Sequence, residues 1–382
     1  MNAPTEDFVL NAAQRAEVIA GLNQILPAHA VLHEVEDTKP YECDGLSLFR
    51  QLPMVVALPE TEDQVVQILK LANRLNVPVV ARGAGTGLSG GAQPHKHGIL
   101  LGMAKFNKIL KVDVQSRSAV VQPGVRNLAI SEAVAQHQLY YAPDPSSQIA
   151  CTIGGNVAEN SGGVHCLKYG LTVHNVLKVR AITIEGEIVE FGSEAPDAPG
   201  LELMNLVIGS EGMLAVVTEV TVKLVPKPAL AQVIMASFDD VANAGNAVAA
   251  VIAAGIIPAG LEMMDKRASQ MVEPFVKAGY DTEAEAILLL ESDGTPEEVA
   301  EEIAEMTRVL NGCGATAIKV SQSEAERLKF WAGRKNAFPA AGRVSPDYYC
   351  MDGTIPRRSL ARVLNAITEM EKKYDMRCAN VF

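Results

Sequence analysis

Three segments carry glycine at a density that helices and strands do not absorb: Arg82–Gly91 (RGAGTGLSGG), Thr152–Gly163 (TIGGNVAENSGG) and Gly209–Leu214 (GSEGML). The first follows an apolar run, Val77–Ala81, that reads as a strand, and the third leads into another, Ala215–Val220. Glycine admits unusual backbone angles and close approach, and successive amides without side-chain obstruction form anion-binding nests. Gly85-Thr86-Gly87-Leu88-Ser89-Gly90 matches G-x-G-x-x-G, but the dinucleotide fingerprint needs a helix opening at the glycines. Here Gly91, Pro94, His95, His97 and Gly98 follow, and the next apolar stretch is strand-like. The Gly-Lys-Ser/Thr of a P-loop is absent. A single such loop leaves a nest and a plain surface turn both open. The second loop shifts the balance. Pro143-Asp144-Pro145 leads through Thr152, Gly154, Gly155 and Asn156 to Asn160, Ser161, Gly162 and Gly163, a stretch of almost pure turn chemistry. Its two glycine pairs leave amides exposed over a path suited to a long, two-ended ligand with a pyrophosphate waist. Three such loops in one domain are hard to explain as turns.

The surrounding pattern is mixed α and β. Asn11–Leu26 reads as a helix, followed by an irregular arm. Met54–Leu58 reads as a strand, and Thr61-Glu62-Asp63-Gln64 is a capping box ahead of Val65, Ile68, Leu69 and Ala72 at helical spacing. Strands are expected at Ile99–Met103 and Ala119–Val121, a helix at Val125–Gln136, and a hairpin of Val176–Ile184 with Ile188–Phe191. Leu214–Val225 is β-rich, and Pro226 and Pro228 punctuate a boundary. Strands at Ala231–Phe238, Pro258–Met264, Ala286–Glu291 and Ala315–Val320 then alternate with helices at Asp240–Ala254, Lys266–Ala278 and Pro296–Leu310. That order predicts a ferredoxin-like α+β sandwich. A strand Tyr348–Asp352, a helix Arg357–Tyr374 and a strand Met376–Phe382 close the sequence. The last strand stops on an apolar residue with no following turn, so the domain reads as truncated at its C-terminus. The ten acids and no bases between Asp281 and Glu305 read as a solvated helix face and its flanks.

Composition narrows the function classes. With 45 acidic and 33 basic residues, a net charge of −12 offers neither the clustered bases of nucleic-acid binding nor a polybasic membrane patch. The most apolar stretch, Val241–Gly260, is broken by Asn243, Asn246 and Pro258, so no membrane span is expected. The acidic N-terminus does not read as a secretion signal. Six scattered cysteines with no C-x-x-C spacing suggest thiols in a reducing, cytoplasmic setting.

The runs Pro78–Gly91, Thr152–Gly163 and Gly209–Val220 resemble, in order and spacing, the three FAD-contacting segments of the vanillyl-alcohol-oxidase/PCMH flavoprotein superfamily. Within it the chain most resembles the FAD-binding subunits of bacterial glycolate oxidases, near the D-lactate and D-2-hydroxyglutarate dehydrogenases. After the N-terminal helix and arm (1–50) read from the residues, the resemblance implies a PCMH-type two-subdomain FAD-binding domain (51–229) and a substrate, or cap, domain (230–382). It implies that Arg82, Gly83, Ala84, Gly85, Thr86, Gly87, Leu88, Ser89 and Gly90 wrap the FAD pyrophosphate. Pro143, Asp144, Thr152, Gly154, Gly155, Asn156, Asn160, Gly162 and Gly163 are implied on the flavin and ribityl side, and Glu211, Gly212 and Val217 on the adenosine flank.

The implied reaction is oxidation of a small 2-hydroxy acid to the 2-oxo acid, with hydride passing to flavin N5 and electrons onward to a partner or acceptor pool. Trp331-Ala332-Gly333-Arg334-Lys335 resembles the segment whose arginine grips the substrate carboxylate, which makes Arg334 the leading substrate residue. Cys350 stands where the 2-hydroxyglutarate branch carries a lysine, favouring a monocarboxylate such as glycolate or D-lactate. The family's His-containing Gly-Asp-Gly-Asn segment, which binds a divalent metal in several members, would follow Phe382, so a metal is implied only if that segment exists. Its absence here motivates an alternative, an FAD-binding chain without independent catalysis that serves assembly or electron relay. Of the seven histidines, His165 and His174 lie nearest the second loop, and His174 is the weak catalytic candidate. The resemblance also implies a second flavin-fold subunit and an iron–sulfur subunit as partners, through which the chain would be peripheral to the inner membrane. The chain itself lacks the cysteine clusters of an iron–sulfur protein.

Overall fold

The computed structural model describes residues 9–195, 200–356 and 359–381. The chain divides into two compact units: residues 1–163 with 170–226, and residues 164–169 with 227–382.

In the first unit, helix Ala12–Ile25 starts at an Asn11–Gln14 capping box, and helix Glu62–Leu75 at the expected Thr61–Gln64 box. Both place apolar stripes in one core, Val18 and Leu22 with Val65, Ile68, Leu69 and Ala72. Beside them lies a four-stranded sheet in the order Val31–Leu32, Val55–Ala57, Ile99–Gly102, Val79–Arg82, whose last three strands run parallel. Parallel strands of one sheet need a crossover connection, and helix Glu62–Leu75 supplies the one from Val55–Ala57 to Val79–Arg82, which flank Ile99–Gly102. The first glycine loop therefore leaves the carboxyl end of a parallel strand, where open α/β sheets bind ligands.

The second sheet of this unit is antiparallel, in the order Ile109–Asp113, Ser118–Val121, Val216–Lys223, Val176–Ile182, Ile188–Gly192. It includes the expected hairpin and adds strand Ile109–Asp113, which was not anticipated. Helices Asn127–Val134 and Ile153–Glu159 share its core through Ile130, Val134, Ile153 and Val157. The second of these corrects the sequence reading of Asp144–Gly163 as almost pure turn chemistry. Ile153 and Val157, four residues apart, are both fully buried, and their burial outweighs the poor helix propensity of Gly154 and Gly155.

The second unit is the expected ferredoxin-like sandwich. Its antiparallel sheet runs Gly260–Asp265, Ala286–Gly294, Leu230–Phe238, Ala317–Val320. Helices Val241–Ala253 and Pro296–Gly312 cover one face over Ile234, Ala236, Phe238, Leu288 and Leu290. Helices Lys266–Val276, Glu324–Lys335 and Ala337–Val344 cover the other over Val233, Met235, Ile287 and Leu289. Cover on both faces explains why Ala286–Leu290 is an unbroken apolar run. Two closing elements differ from expectation. Tyr348–Asp352 forms no strand, and its Tyr348, Tyr349 and Met351 stay exposed. Of Met376–Phe382 only Val381 bridges, to Met264, and Phe382 lies outside the described residues. Helix Leu360–Tyr374 is present, while Arg357 and Arg358, expected at its start, lie outside the described residues.

Candidate functional site

A cleft in the first unit gathers all three glycine segments. Its space is about 960 Å³ counted with its open mouth. Arg82, Gly83, Ala84, Gly85, Thr86 and Gly87 line one side, and Thr152, Gly154, Gly155 and Asn156 another. Glu211, Gly212 and Val217 close it. Leu88, Ser89, Gly90, Pro143, Asp144, Asn160, Gly162 and Gly163 are not among the lining residues. The second loop instead packs on itself, since a Cβ at Gly163 would lie 2.5 Å from the Asp144 carboxylate. The sequence reading missed Glu159 and Ser161, which also line the cleft.

Hydrogen bonds between loops set this geometry. The amides of Ile153 and Gly154 donate to the carbonyls of Val125 and Pro123, and those of Gly209 and Glu211 donate to Val157 and Ala158. The third loop is thereby tied to helix Ile153–Glu159. Asn156 is spent internally: its Oδ1 accepts from Asn127 at 3.0 Å, and its Nδ2 donates to Ser161 Oγ at 3.4 Å. Arg82 is similarly engaged. Its Nη1 donates to the carbonyls of Cys43 (2.8 Å) and Ala92 (3.4 Å), and its guanidinium lies over the Tyr41 ring. Gly83 is required by contact, because a Cβ there would stand 2.3 Å from Thr152 Oγ1.

Two features of the cleft bear on its ligand. Thr152 Oγ1 is buried with no hydrogen-bond partner among the described residues. A hydroxyl left this way is costly unless a ligand supplies the partner. Glu159 stands over the first loop, its carboxyl held above the usual range by burial, then by the charge of Glu211, with a Ser89 hydrogen bond offsetting part of this. Backbone amides at glycines, an unpaired hydroxyl and an open cleft fit FAD.

The second unit holds a buried polar cluster. Arg327, Trp331 and Arg334 fall on one stripe of helix Glu324–Lys335, facing the sheet. Glu291 Oε2 accepts from Trp331 Nε1 at 2.5 Å and from Arg327 Nη1 at 2.8 Å, and its Oε1 meets His165 Nε2 at 3.1 Å. Burial would raise the Glu291 carboxyl, but His165, Arg327 and Trp331 more than offset it and hold it below the ordinary range. On the neighbouring strand, Glu262 Oε2 accepts from Arg334 Nε at 2.5 Å. Tyr280 bolts the helix, its hydroxyl donating to the Phe330 carbonyl and accepting from the Gly333 amide. Asp293 takes Lys168 Nζ and the Tyr169 hydroxyl, each at 2.5 Å. Glu291 and Asp293 therefore correct the reading of residues 281–305 as solvated. Period-two alternation puts them on the Leu289 face of their strand, and partners as far as 126 residues away in sequence neutralise them. His174 is exposed and does not line the cleft; its Nδ1 accepts the Leu171 amide at 3.0 Å.

Comparison with known proteins agrees with this architecture. Residues 53–192 match the FAD binding domain family, and residues 227–382 match the FAD linked oxidases, C-terminal domain. The second match covers the substrate domain and runs to residue 382. The chain is 58% identical to glycolate oxidase subunit GlcD of Escherichia coli, over 98% of this chain and 75% of that protein. It is 30% identical to a D-lactate dehydrogenase of Anaerostipes hadrus, over 94% of this chain and 78% of that one. Among solved structures, p-cresol methylhydroxylase shares the fold, with a TM-score of 0.72 at 16% identity over 85% of this chain and 70% of that one.

Proposed function

This chain belongs to the FAD-linked oxidases and oxidises 2-hydroxy acids with FAD as its cofactor; within that class we propose glycolate or D-lactate as its substrate. FAD, when bound, supplies the acceptor for the hydride leaving the substrate's α-carbon.

The observation that carries the assignment of substrate residue is the Arg334–Glu262 pair. A guanidinium suits a carboxylate because its fork matches two oxygens at once. In this reading Glu262 holds the Nε edge, and the Nη edge is left to the substrate carboxylate. Side-chain exposure of 22% at Arg334 and 9% at Glu262 supports this division between a reachable head and a buried anchor. We assign the FAD pyrophosphate to the amides of Gly83–Gly87, and the rest of the cofactor to the Thr152–Asn156 and Glu211–Val217 sides of the cleft. We place the change from cofactor-binding to substrate-binding domain near residue 229.

The glycolate oxidase relatives are named as subunits, which supports a multi-chain assembly. In our reading a second flavin-fold subunit and an iron–sulfur subunit take the electrons onward, with the assembly in the cytoplasm. Among the described residues, no helix is long and apolar enough to cross a membrane.

The test is anaerobic addition of glycolate, D-lactate and D-2-hydroxyglutarate in turn to the purified flavoprotein, followed by absorbance. Bleaching of the flavin band by glycolate or D-lactate, and not by the dicarboxylate, is expected. Bleaching by D-2-hydroxyglutarate alone would overturn the monocarboxylate assignment. A flavin band that none of them bleaches would instead favour a chain that binds FAD without turning over on its own.

A further inference from the structure

Among the described residues, the cleft's lining contains two carboxylates, Glu159 and Glu211, and a single cation, Arg82. Both carboxylates stand over the first glycine loop. A Cβ built on Gly91 would come 2.8 Å from Oε1 of Glu159 and 3.8 Å from Oε2 of Glu211. The cation does little to balance them, because Arg82 is drawn to the Cys43 and Ala92 carbonyls and toward Asp44. A cleft that receives a pyrophosphate is thus lined by one more acid than base. Ionised carboxylates beside that ligand would oppose its binding, and loss of one charge relieves the conflict.

The surroundings single out Glu159 as the group to lose it. It ends helix Ile153–Glu159, and its half-buried carboxyl is raised by burial first and by Glu211 second. Ser89 donates a hydrogen bond that works the other way, and Asp44 adds a weaker like charge. Thr152 points independently to a ligand in the same cleft, since it is 7% exposed and its buried hydroxyl has no partner among the described residues.

We propose that Glu159 takes up a proton as FAD binds and serves the complex as a neutral carboxylic acid, its O–H donating to a cofactor oxygen. The proposal rests on the FAD assignment. Proton uptake links affinity to pH: the dissociation constant rises with pH, by at most about tenfold per unit, above the pKa of Glu159 in the apoprotein.

The experiment is calorimetric titration of FAD into apoprotein of the 382-residue chain, between about pH 5.5 and 8.5, in two buffers of different ionisation heat. Expected are net proton uptake approaching one per FAD and a several-fold loss of affinity toward the alkaline end. Glu159→Gln keeps a neutral donor, so its affinity should exceed that of the parent at high pH, with a flat profile and no proton uptake. A flat profile without proton uptake in the parent protein would overturn the proposal, as would the parent's profile persisting in E159Q. Binding that Mg²⁺ tightens without proton uptake would overturn it in favour of a metal counter-ion. The parent titration decides the matter even if the variant does not fold. Apoprotein that takes up no FAD at any pH would overturn the cofactor assignment as well, which separates that failure from this one.

Discussion

Arg334 donates its Nε to Oε2 of Glu262 at 2.5 Å, from a helix to a sheet strand that both belong to the second unit. The neighbouring strand presents Glu291 to Arg327 and Trp331 of the same helix. Two buried acids therefore fix one helical stripe, and the stripe fixes the aim of Arg334.

From this geometry, Arg334→Lys should impair turnover although charge is kept, because a lysine reproduces neither the fork nor the Nε bond to Glu262. Loss of a charged hydrogen bond is worth ~1.5–3 kcal/mol, or about 10–150-fold in kcat/KM. The loss should fall mainly on KM, with the flavin spectrum unchanged. Glu262→Gln should act in the same direction and more weakly, since it loosens the arginine without removing it. Rapid-mixing measurement of flavin bleaching by glycolate checks both; a normal KM in R334K would remove Arg334 from the substrate site.

The Glu291 cluster predicts a stability effect with a definite sign in pH. Removing one member of a buried charged set leaves the others unpaired, at a cost of ~3–5 kcal/mol. Glu291→Ala should therefore lower the urea midpoint strongly at neutral pH. Because the folded carboxyl lies below its ordinary value of 4.5, its stabilisation is fully present above that value and is lost as pH falls through the folded pKa. The deficit of Glu291→Gln should accordingly shrink on acidification. A deficit of constant size down to pH 3 would count against the linkage.

Thr152 offers a prediction with two opposed readouts. Thr152→Val replaces an unpaired buried hydroxyl with a methyl of similar shape, which should stabilise the apoprotein by ~1 kcal/mol or more. The same change should weaken FAD binding, since the partner offered to the ligand is gone. Thermal unfolding of apoprotein and fluorescence titration with FAD give the two numbers. Reduced apo stability with unchanged affinity would mean that the hydroxyl serves the fold.

Sequence legibility followed locality. The Thr61–Gln64 capping box spans four residues and forms as read. The glycine loops could be recognised because their chemistry lies in consecutive backbone amides. Helix Ile153–Glu159 was hidden, since two glycines argue against a helix and only the burial of Ile153 and Val157 reverses that. Glu291 was hidden for another reason: an acid at the end of an apolar strand and an acid on a wet surface look alike until Arg327 and His165 are brought to it. Glu159 was likewise invisible, because its neighbour Glu211 arrives through the bond from the Glu211 amide to Ala158.

The short segment Val164–Tyr169 supplies the last prediction. It packs within the second unit although it lies in sequence between two parts of the first. Apart from Val164 in the core and the His165 ring beside that of Trp331, what holds it is polar: His165 on Glu291, and Lys168 and Tyr169 on Asp293. Lys168 Nζ also donates to the Asp293 carbonyl at 2.7 Å. Asp293→Asn would keep the shape and remove the charge that draws Lys168, weakening the anchor by ~1.5–3 kcal/mol. Local opening reports such a loss more directly than global unfolding. Amide hydrogen exchange across 165–169 should accelerate by about 10–150-fold in the variant, while strand Leu230–Phe238 keeps its protection. Unchanged exchange in the segment would show that Val164 and His165 suffice to hold it, and uniform acceleration throughout the unit would show that Asp293 supports the whole sheet.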